Sequence, residues 1–130
     1  MIKILIIGKK SFLGSNLNNY LSKFYELDHF SYEKMITKSS LFFNNYSHII
    51  NTAIHPRYVK YKYDNNFDLD KKFIKKFKKI NFRYIYLNTR KIYSPKANIN
   101  ENSKLNPIDN YAKNKLITEK FLEIKLKKKL

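Results

Sequence analysis

The chain has 130 residues, no cysteine and a formal net charge of +17, a length that fits one domain and is too short for two ordinary ones. The lack of cysteine excludes a disulfide scaffold and a cysteine-ligated metal, and no apolar run approaches the roughly 20 residues that span a bilayer. The charge is mostly lysine, accompanied by much asparagine, isoleucine and tyrosine, as AT-rich coding produces. We therefore expect a cytoplasmic protein with solvated lysine faces, and neither a membrane nor a nucleic acid as its partner.

The first half of the chain alternates apolar runs with helical patterns. Ile2 to Ile7 is a continuous apolar strand of the kind that is buried on both faces of a parallel sheet. A helix is expected from Phe12, followed by a weak second strand over Tyr25 to Ser31. A short helix around Glu33 to Phe43 then leads to a clear third strand within Ser47 to Ala53.

The second half continues the alternation less regularly. We expect an irregular region over Tyr58 to Tyr63, an amphipathic helix from about Asn66 and a fourth strand over Phe82 to Leu87. A polar loop over Pro95 to Pro107 precedes a final helix over Ile108 to Leu126. Strands that alternate with helices predict an α/β fold with a parallel sheet of about four strands in the order 2-1-3-4 and helices on both faces.

The two glycines of the chain, Gly8 and Gly14, directly follow the first strand. Gly8 would allow a sharp turn off the strand, and Gly14 would let the helix lie close to the sheet. The N–H groups at the start of that helix would then face a phosphate. The pattern predicts nucleotide binding, and the alternative is a plain strand-to-helix turn that uses glycine for its geometry alone.

A candidate acid–base pair lies in the final helix, where Tyr111 and Lys115 are spaced to share one face. A lysine close by would lower the pKa of the tyrosine from its usual value of about 10, which would make the phenol a usable acid or base. Thr89 follows the fourth strand, at the edge where open α/β sheets hold their ligands. It could donate a hydrogen bond to a substrate oxygen, or it could only satisfy its own backbone.

In this order the motifs resemble those of the extended short-chain dehydrogenase/reductase family, the NAD(P)-dependent epimerases, dehydratases and reductases of nucleotide sugars. Gly8 to Gly14 looks like the family's Gly-x-x-Gly-x-x-Gly turn, and Ile49 to Ala53 is similar to its strand ending in Asn-x-Ala. Tyr63 to Asn66 resembles the helix start whose asparagine supports the active site. Thr89 to Ser94 looks like the Ser/Thr-x-x-Val-Tyr-Gly segment, and Glu101 to Lys115 resembles the stretch with Glu, Asn-Pro and Tyr-x-x-x-Lys.

The resemblance implies a reduced Rossmann-like domain, NAD or NADP as cofactor, a nucleotide-sugar substrate and hydride transfer at a sugar carbon. Tyr111 would take or give the proton of a sugar hydroxyl. Lys115 would lower the pKa of Tyr111 and bind the nicotinamide ribose, and Thr89 would orient the substrate oxygen. The cofactor-binding residues that it implies are Gly8, Lys10, Ser11, Phe12, Leu13, Gly14, Asn51, Ala53, Asn66, Tyr111 and Lys115.

Departures from the family pattern qualify these expectations. Ser11 occupies the middle glycine position, where the backbone comes closest to the pyrophosphate. At the end of the second strand, around Ser31 and Tyr32, no acidic residue is obvious for the adenosine ribose. Lys9 and Lys10 would tolerate a 2′-phosphate, which slightly favours NADP and leaves NAD open. The later strands and the C-terminal substrate-binding region are missing. We therefore expect residues 1–130 to be one NAD(P)-binding domain that needs a missing segment, a complementing chain or a homodimer mate for its substrate.

Two alternatives come from other functional classes. One is a non-catalytic nucleotide-binding or interaction module, a truncated relic of such an enzyme. The other is a basic nucleic-acid-binding protein, which predicts lysines gathered on one face. A metal site is not expected because His29, His48 and His55 lack ligand spacing, and the paired carboxylates of a glycosidase are missing.

Overall fold

The sheet of the protein has four parallel strands. The computed structural model of the chain describes residues 2–89, 99–100 and 102–126. The strands are β1 (Lys3–Ile7), β2 (Glu26–Phe30), β3 (His48–Asn51) and β4 (Arg83–Ile85), and their order is β2-β1-β3-β4. Every adjacent pair runs parallel. The predicted α/β class and the predicted strand order are confirmed.

Strand β1 lies inside the sheet, and it forms because Ile4 to Ile7 are aliphatic, mostly β-branched, and buried. Leu5, Ile6 and Ile7 are fully buried, as is typical of a strand covered on both faces. Burying one such side chain contributes about 1.5–3 kcal/mol. A second part of the core is aromatic, with edge-to-face ring pairs at centroid distances of 5.2–5.3 Å, formed by Phe43, Phe73, Phe77 and Phe82.

The helices that follow the first two strands are short. Helix α1 spans Phe12–Leu21 and helix α2 spans Tyr32–Ile36, with a 3-10 turn over Ser40–Asn45. The prediction of one helix over Glu33 to Phe43 is wrong in its extent. Thr37 ends α2 with its hydroxyl donating to the Lys34 carbonyl, so the backbone leaves the helix before the 3-10 turn begins.

The chain divides into two compact units. Among the described residues, the first comprises those up to Ala53 together with Phe73–Leu87, and the second comprises Ile54–Lys72 and those from Asn88 to Leu126. The second unit contains helix α3 (Pro56–Lys60), a 3-10 turn (Asn65–Phe67), the start of α4 (Leu69–Lys75) and helix α5 (Asn110–Leu126). Folding of the chain as a single domain stays a prediction.

Several boundaries in the second half differ from the predicted ones because of capping. Helix α3 replaces part of the expected irregular region, since His55 accepts the Arg57 N–H at 3.1 Å and proline follows it at the first helical position. Helix α5 begins at Asn110 because the Asp109 carboxylate accepts the Ala112 N–H at 2.7 Å. Helix α4 ends at Lys75, and the buried residues Phe77 and Ile80 follow it.

Candidate functional site

The turn between β1 and α1 begins at Gly8, whose φ of +121° lies in the left-handed region that favours glycine. The Gly8 N–H donates to the Phe30 carbonyl at 2.8 Å, which ties the turn to the end of β2. The Gly8 carbonyl accepts the Ser11 N–H at 3.2 Å. The turn is therefore tight and fixed by its own backbone.

The side chain of Thr52 lies against both glycines. Its hydroxyl donates to the Ile7 carbonyl at 2.8 Å and is buried after the end of β3. A Cβ on Gly8 would collide with this oxygen, and a Cβ on Gly14 would lie 2.7 Å from it and 2.8 Å from the Gly8 carbonyl oxygen. The sequence reasoning missed Thr52, although it lies between Asn51 and Ala53, which the resemblance did identify.

The start of α1 has the properties of an anion site. Ser11 is the N-cap, and its Oγ accepts the Gly14 N–H at 3.1 Å. The helix geometry then leaves the N–H groups of Phe12 and Leu13 without an acceptor within the helix. Both residues are exposed, and the first turn contains no acidic side chain. The serine in the middle glycine position thus caps the helix while two N–H groups still point outward.

The end of β3 lies against the same turn. Asn51 holds the backbone of Ala53, accepting its N–H at 2.9 Å and donating to its carbonyl at 3.3 Å. The Ala53 nitrogen lies 3.2 Å from the position of a Gly8 Cβ. The structure therefore brings Gly8, Gly14, Asn51 and Ala53 together in the first unit. Lys10 is exposed in the turn itself.

His29 is a second residue that sequence reasoning did not assign to this turn. It lies on β2 opposite Ile6, and its Nε2 is 2.9 Å from the Gly8 carbonyl oxygen. The acidic residues of β2 lie elsewhere, since Glu26 and Asp28 pair with Lys3 at 3.7 and 3.5 Å. Ser31, just after the strand, accepts the Lys34 N–H and caps α2.

Tyr111 and Lys115 lie one turn apart on α5 in the second unit. The Lys115 ammonium is 6.0 Å from the centroid of the Tyr111 ring. Lys115 is buried, with only 3% of its surface exposed, and Tyr111 is partly buried. The phenol and the ammonium that the spacing predicted on one helix face are therefore neighbours.

The electrostatics of this pair correct one expectation. Burial raises the pKa of Tyr111 above its usual value, and the carboxylates of Asp70 and Asp109 raise it further. Burial also lowers the pKa of Lys115, against the opposing effect of Asp70 and Asp68. The predicted net lowering of the tyrosine pKa is therefore wrong, because burial and the carboxylates of Asp70 and Asp109 raise the pKa. Tyr111 is a neutral phenol at neutral pH.

Thr89 and Asn66 each donate a backbone N–H to a nearby side chain. Thr89 is partly buried after β4, and its N–H donates to the Asn88 side-chain oxygen at 2.8 Å. Asn66 is exposed on the 3-10 turn, where its N–H donates to Asp64 at 2.9 Å. Asp68, two residues further on, is buried. Glu101 and the segment Arg90 to Ser94 lie outside the described residues.

Within residues 2–89, 99–100 and 102–126, no group of three or more histidine, aspartate or glutamate side chains could hold a metal ion. Over the same ranges, none of the helices combines the length and the apolar character needed to cross a membrane.

No protein-family model matches the sequence, and no curated protein matches it. Solved structures do match the fold. UDP-glucuronic acid 4-epimerase from Bacillus cereus, solved with NAD, superposes with a TM-score of 0.74 at 18% identity, over 97% of this chain and 53% of that one. dTDP-glucose 4,6-dehydratase from Bacillus anthracis, also with NAD, gives 0.74 at 18% identity, over 99% and 52% of the two chains.

A third match is the dTDP-4-dehydrorhamnose reductase of Clostridium acetobutylicum, with a TM-score of 0.72 at 24% identity over 95% of this chain and 49% of that one. The chain spans about half the length of these solved structures. At such identities the likeness defines the fold, and the Rossmann-like fold expected from the resemblance is confirmed.

Proposed function

We propose that the chain is the NAD(P)-binding and catalytic part of a nucleotide-sugar epimerase, dehydratase or reductase. The observation that carries the proposal is the β1–α1 turn, in which a capped helix start presents two outward N–H groups beside Gly8. The likeness in fold to solved epimerases, dehydratases and reductases supports it.

The turn is suited to the diphosphate of a dinucleotide. The N–H groups of Phe12 and Leu13 would donate to its oxygens, and the helix dipole places about half a positive charge at the same end. Lys10 is exposed beside them and adds a cation. Since Glu26 and Asp28 on β2 pair with Lys3, the proposal accommodates either NAD or NADP.

The catalytic roles belong to three side chains of the second unit. The cofactor, when bound, supplies or accepts the hydride. Tyr111 exchanges a proton between its Oη and the substrate oxygen, Lys115 holds positive charge beside it, and Thr89 orients the oxygen through a hydrogen bond. Because Tyr111 is a phenol in the free protein, the step available without further change is proton donation to a carbonyl oxygen. Proton abstraction requires an added positive charge that lowers the pKa of Tyr111.

The substrate in this proposal is a nucleotide sugar, and the protein acts in the cytoplasm. Groups that hold the sugar come from a further segment, from a complementing chain or from the second copy of a homodimer. No nucleic acid takes part. Exposed lysines occur in both units, for example Lys10 in the turn and Lys113 and Lys120 on α5, which fits solvated faces.

A second candidate function is dinucleotide binding without catalysis. The observation that favours it is the raised pKa of Tyr111 next to a lysine whose pKa is lowered. Both candidates predict that NADH or NADPH binds. Only the enzyme predicts hydride exchange with a keto-sugar nucleotide and its loss in Tyr111→Phe.

The test is a titration of the chain with NADH and with NADPH, followed by nicotinamide fluorescence. We expect saturable binding that Tyr111→Phe retains, and weaker binding in Lys10→Met. Lys23→Met is the matched control, because it removes the same charge from an exposed position beyond the far end of α1. Absence of binding by the parent chain would refute both candidates, and equal losses in the two lysine variants would refute the assignment to the turn.

A further inference from the structure

A cluster of buried polar side chains lies in the second unit, around the start of α4 and the middle of α5. Asp68 caps α4, with its Oδ1 accepting the Lys71 N–H at 3.0 Å. Its Oδ2 accepts the Tyr63 hydroxyl and the Thr118 hydroxyl, each at 2.7 Å. The Tyr58 hydroxyl lies 2.6 Å from Thr118 Oγ1. We call Tyr58, Tyr63, Asp68 and Thr118 the polar cluster.

The polar cluster fixes a carboxylate inside the protein. Asp68 is only 1% exposed, and its three contacts are all donors, which suits an acceptor-only group. Hydrogen bonds from Tyr63, from Thr118 on α5 and from the start of α4 hold it in one position. A buried carboxylate kept in this way is costly unless its charge is compensated.

Two further buried charges lie in the same unit. Asp70 is in the first turn of α4 and is 7% exposed, and Lys115 is 3% exposed. Lys115 precedes Thr118, which contacts Asp68, by one helical turn. Lysine is almost never fully buried unless it is paired. The unit therefore buries one ammonium and two carboxylates on neighbouring helices.

We propose that Asp68 and Asp70 are positioning residues that supply the counter-charge for Lys115 and so hold it as a buried cation beside Tyr111. This inference rests on the proposed function, in which Lys115 is the cation of the catalytic pair. Asp70 and Asp68 both act to raise the pKa of Lys115 against the effect of burial, as the proposal requires.

Other titratable groups of the unit are also near the pair. The Tyr58 ring packs edge-on against Tyr111 at 6.4 Å. The carboxylates that act on the pair are those of Asp70 on α4, Asp68 just before α4 and Asp109 just before α5. The Tyr63 phenol donates to Asp68. Asp68 and Asp70 are the carboxylates among them that act on Lys115.

The test follows the Lys115 ammonium by NMR of isotope-labelled lysine over a pH titration, with its resonance assigned by Lys115→Arg. We expect the Lys115 titration midpoint to shift downward in Asp70→Asn and in Asp68→Asn. Glu123→Gln is the matched control, because it makes the same chemical change at an exposed position on α5 two helical turns from Lys115. Its midpoint should equal that of the parent chain.

A purely structural role would weaken folding without moving the midpoint, so circular dichroism is recorded for every variant. If a variant fails to fold, Lys115→Met gives the reciprocal measurement, in which the Asp70 carboxyl should titrate at higher pH than in the parent chain. An unchanged midpoint in folded Asp70→Asn, an equal shift in Glu123→Gln, or an unchanged Asp70 titration in Lys115→Met would overturn the proposal. None of these readouts needs NADH. Failure of the proposed function would appear as absent NADH binding, and it is therefore distinguishable from failure of the counter-charge proposal.

Discussion

Substituting Gly14 by alanine sets two effects of known sign against each other. In a helix interior, alanine is favoured over glycine by about 1 kcal/mol. The added Cβ, however, would lie 2.7 Å from Thr52 Oγ1 and 2.8 Å from the Gly8 carbonyl oxygen. Neither atom is the end of a flexible side chain, since one belongs to a short side chain bonded to the Ile7 carbonyl and the other is backbone.

The clash should dominate. Overpacking of this kind costs about 1–3 kcal/mol, and loss of the Thr52 hydrogen bond adds about 1 kcal/mol. Against the gain in helix propensity, we expect Gly14→Ala to lower the free energy of unfolding by about 1–3 kcal/mol. Urea unfolding followed by circular dichroism measures this change.

A control in the same helix isolates the cause. Asn16 is exposed on α1, so Asn16→Ala should raise stability by roughly 0.5 kcal/mol through helix propensity alone. A Gly14→Ala protein as stable as the parent chain, or more stable, would refute the reasoning that Thr52 and the Gly8 backbone leave no room at this position.

Three further predictions concern single side chains. Ser11→Ala should lose about 1 kcal/mol of stability with the helix cap, whereas Ser11→Gly should lose only a few tenths and bind NADH at least as tightly as the parent, as fluorescence titration would measure. Asp70→Asn should lower the pKa of Tyr111, because the Asp70 carboxylate acts to raise it; NMR of labelled tyrosine, assigned with Tyr111→Phe, follows this. Asn114→Leu should cost roughly 2 kcal/mol or more in urea unfolding, because the buried Asn114 amide donates to the carbonyls of Tyr58 and Tyr61, both at 2.8 Å.

The raised pKa of Tyr111 also fixes the sign of a pH effect. Up to about pH 10 the folded and unfolded chains both keep the phenol proton, so this group leaves stability unchanged. Above that pH the unfolded chain loses the proton first, and stability falls. Tyr111→Phe should therefore lose less stability than the parent chain between pH 9 and 11, and an identical loss would contradict the raised pKa.

The other three predictions have their own contradicting outcomes. These are equal stability of the two Ser11 variants, an unchanged Tyr111 pKa in Asp70→Asn, and a loss below about 0.5 kcal/mol in Asn114→Leu.

The sheet could be predicted from the sequence because its signal is local. Ile4 to Ile7 form an uninterrupted apolar run, and each later strand is separated from the next by a helical pattern, which limits the possible orders of a parallel sheet. Helix ends were predicted less well. Caps such as Asp109 and His55 act through one hydrogen bond that a periodic pattern does not contain.

The site was predicted only in part, because part of it depends on contacts between residues that are distant in the sequence. Gly8 and Gly14 mark the turn in the sequence, but Thr52, whose side chain lies against both of them, comes from the distant segment just after β3. The pKa of Tyr111 could not be predicted from its spacing to Lys115, because burial and the carboxylate of Asp70 come from the tertiary structure. Residue spacing identified Tyr111 and Lys115 as neighbours on one helix, whereas the tertiary structure determines the direction in which each pKa is shifted.

The most direct test of the account is an amide NMR titration of the labelled chain with NADH. In the proposed function, the start of α1 binds the diphosphate of the cofactor through the N–H groups of Phe12 and Leu13. We expect the largest saturable chemical-shift changes on adding NADH at the backbone amides of Phe12 and Leu13. Saturable binding that leaves these two amides unshifted, or no saturable shift anywhere in the chain, would contradict it.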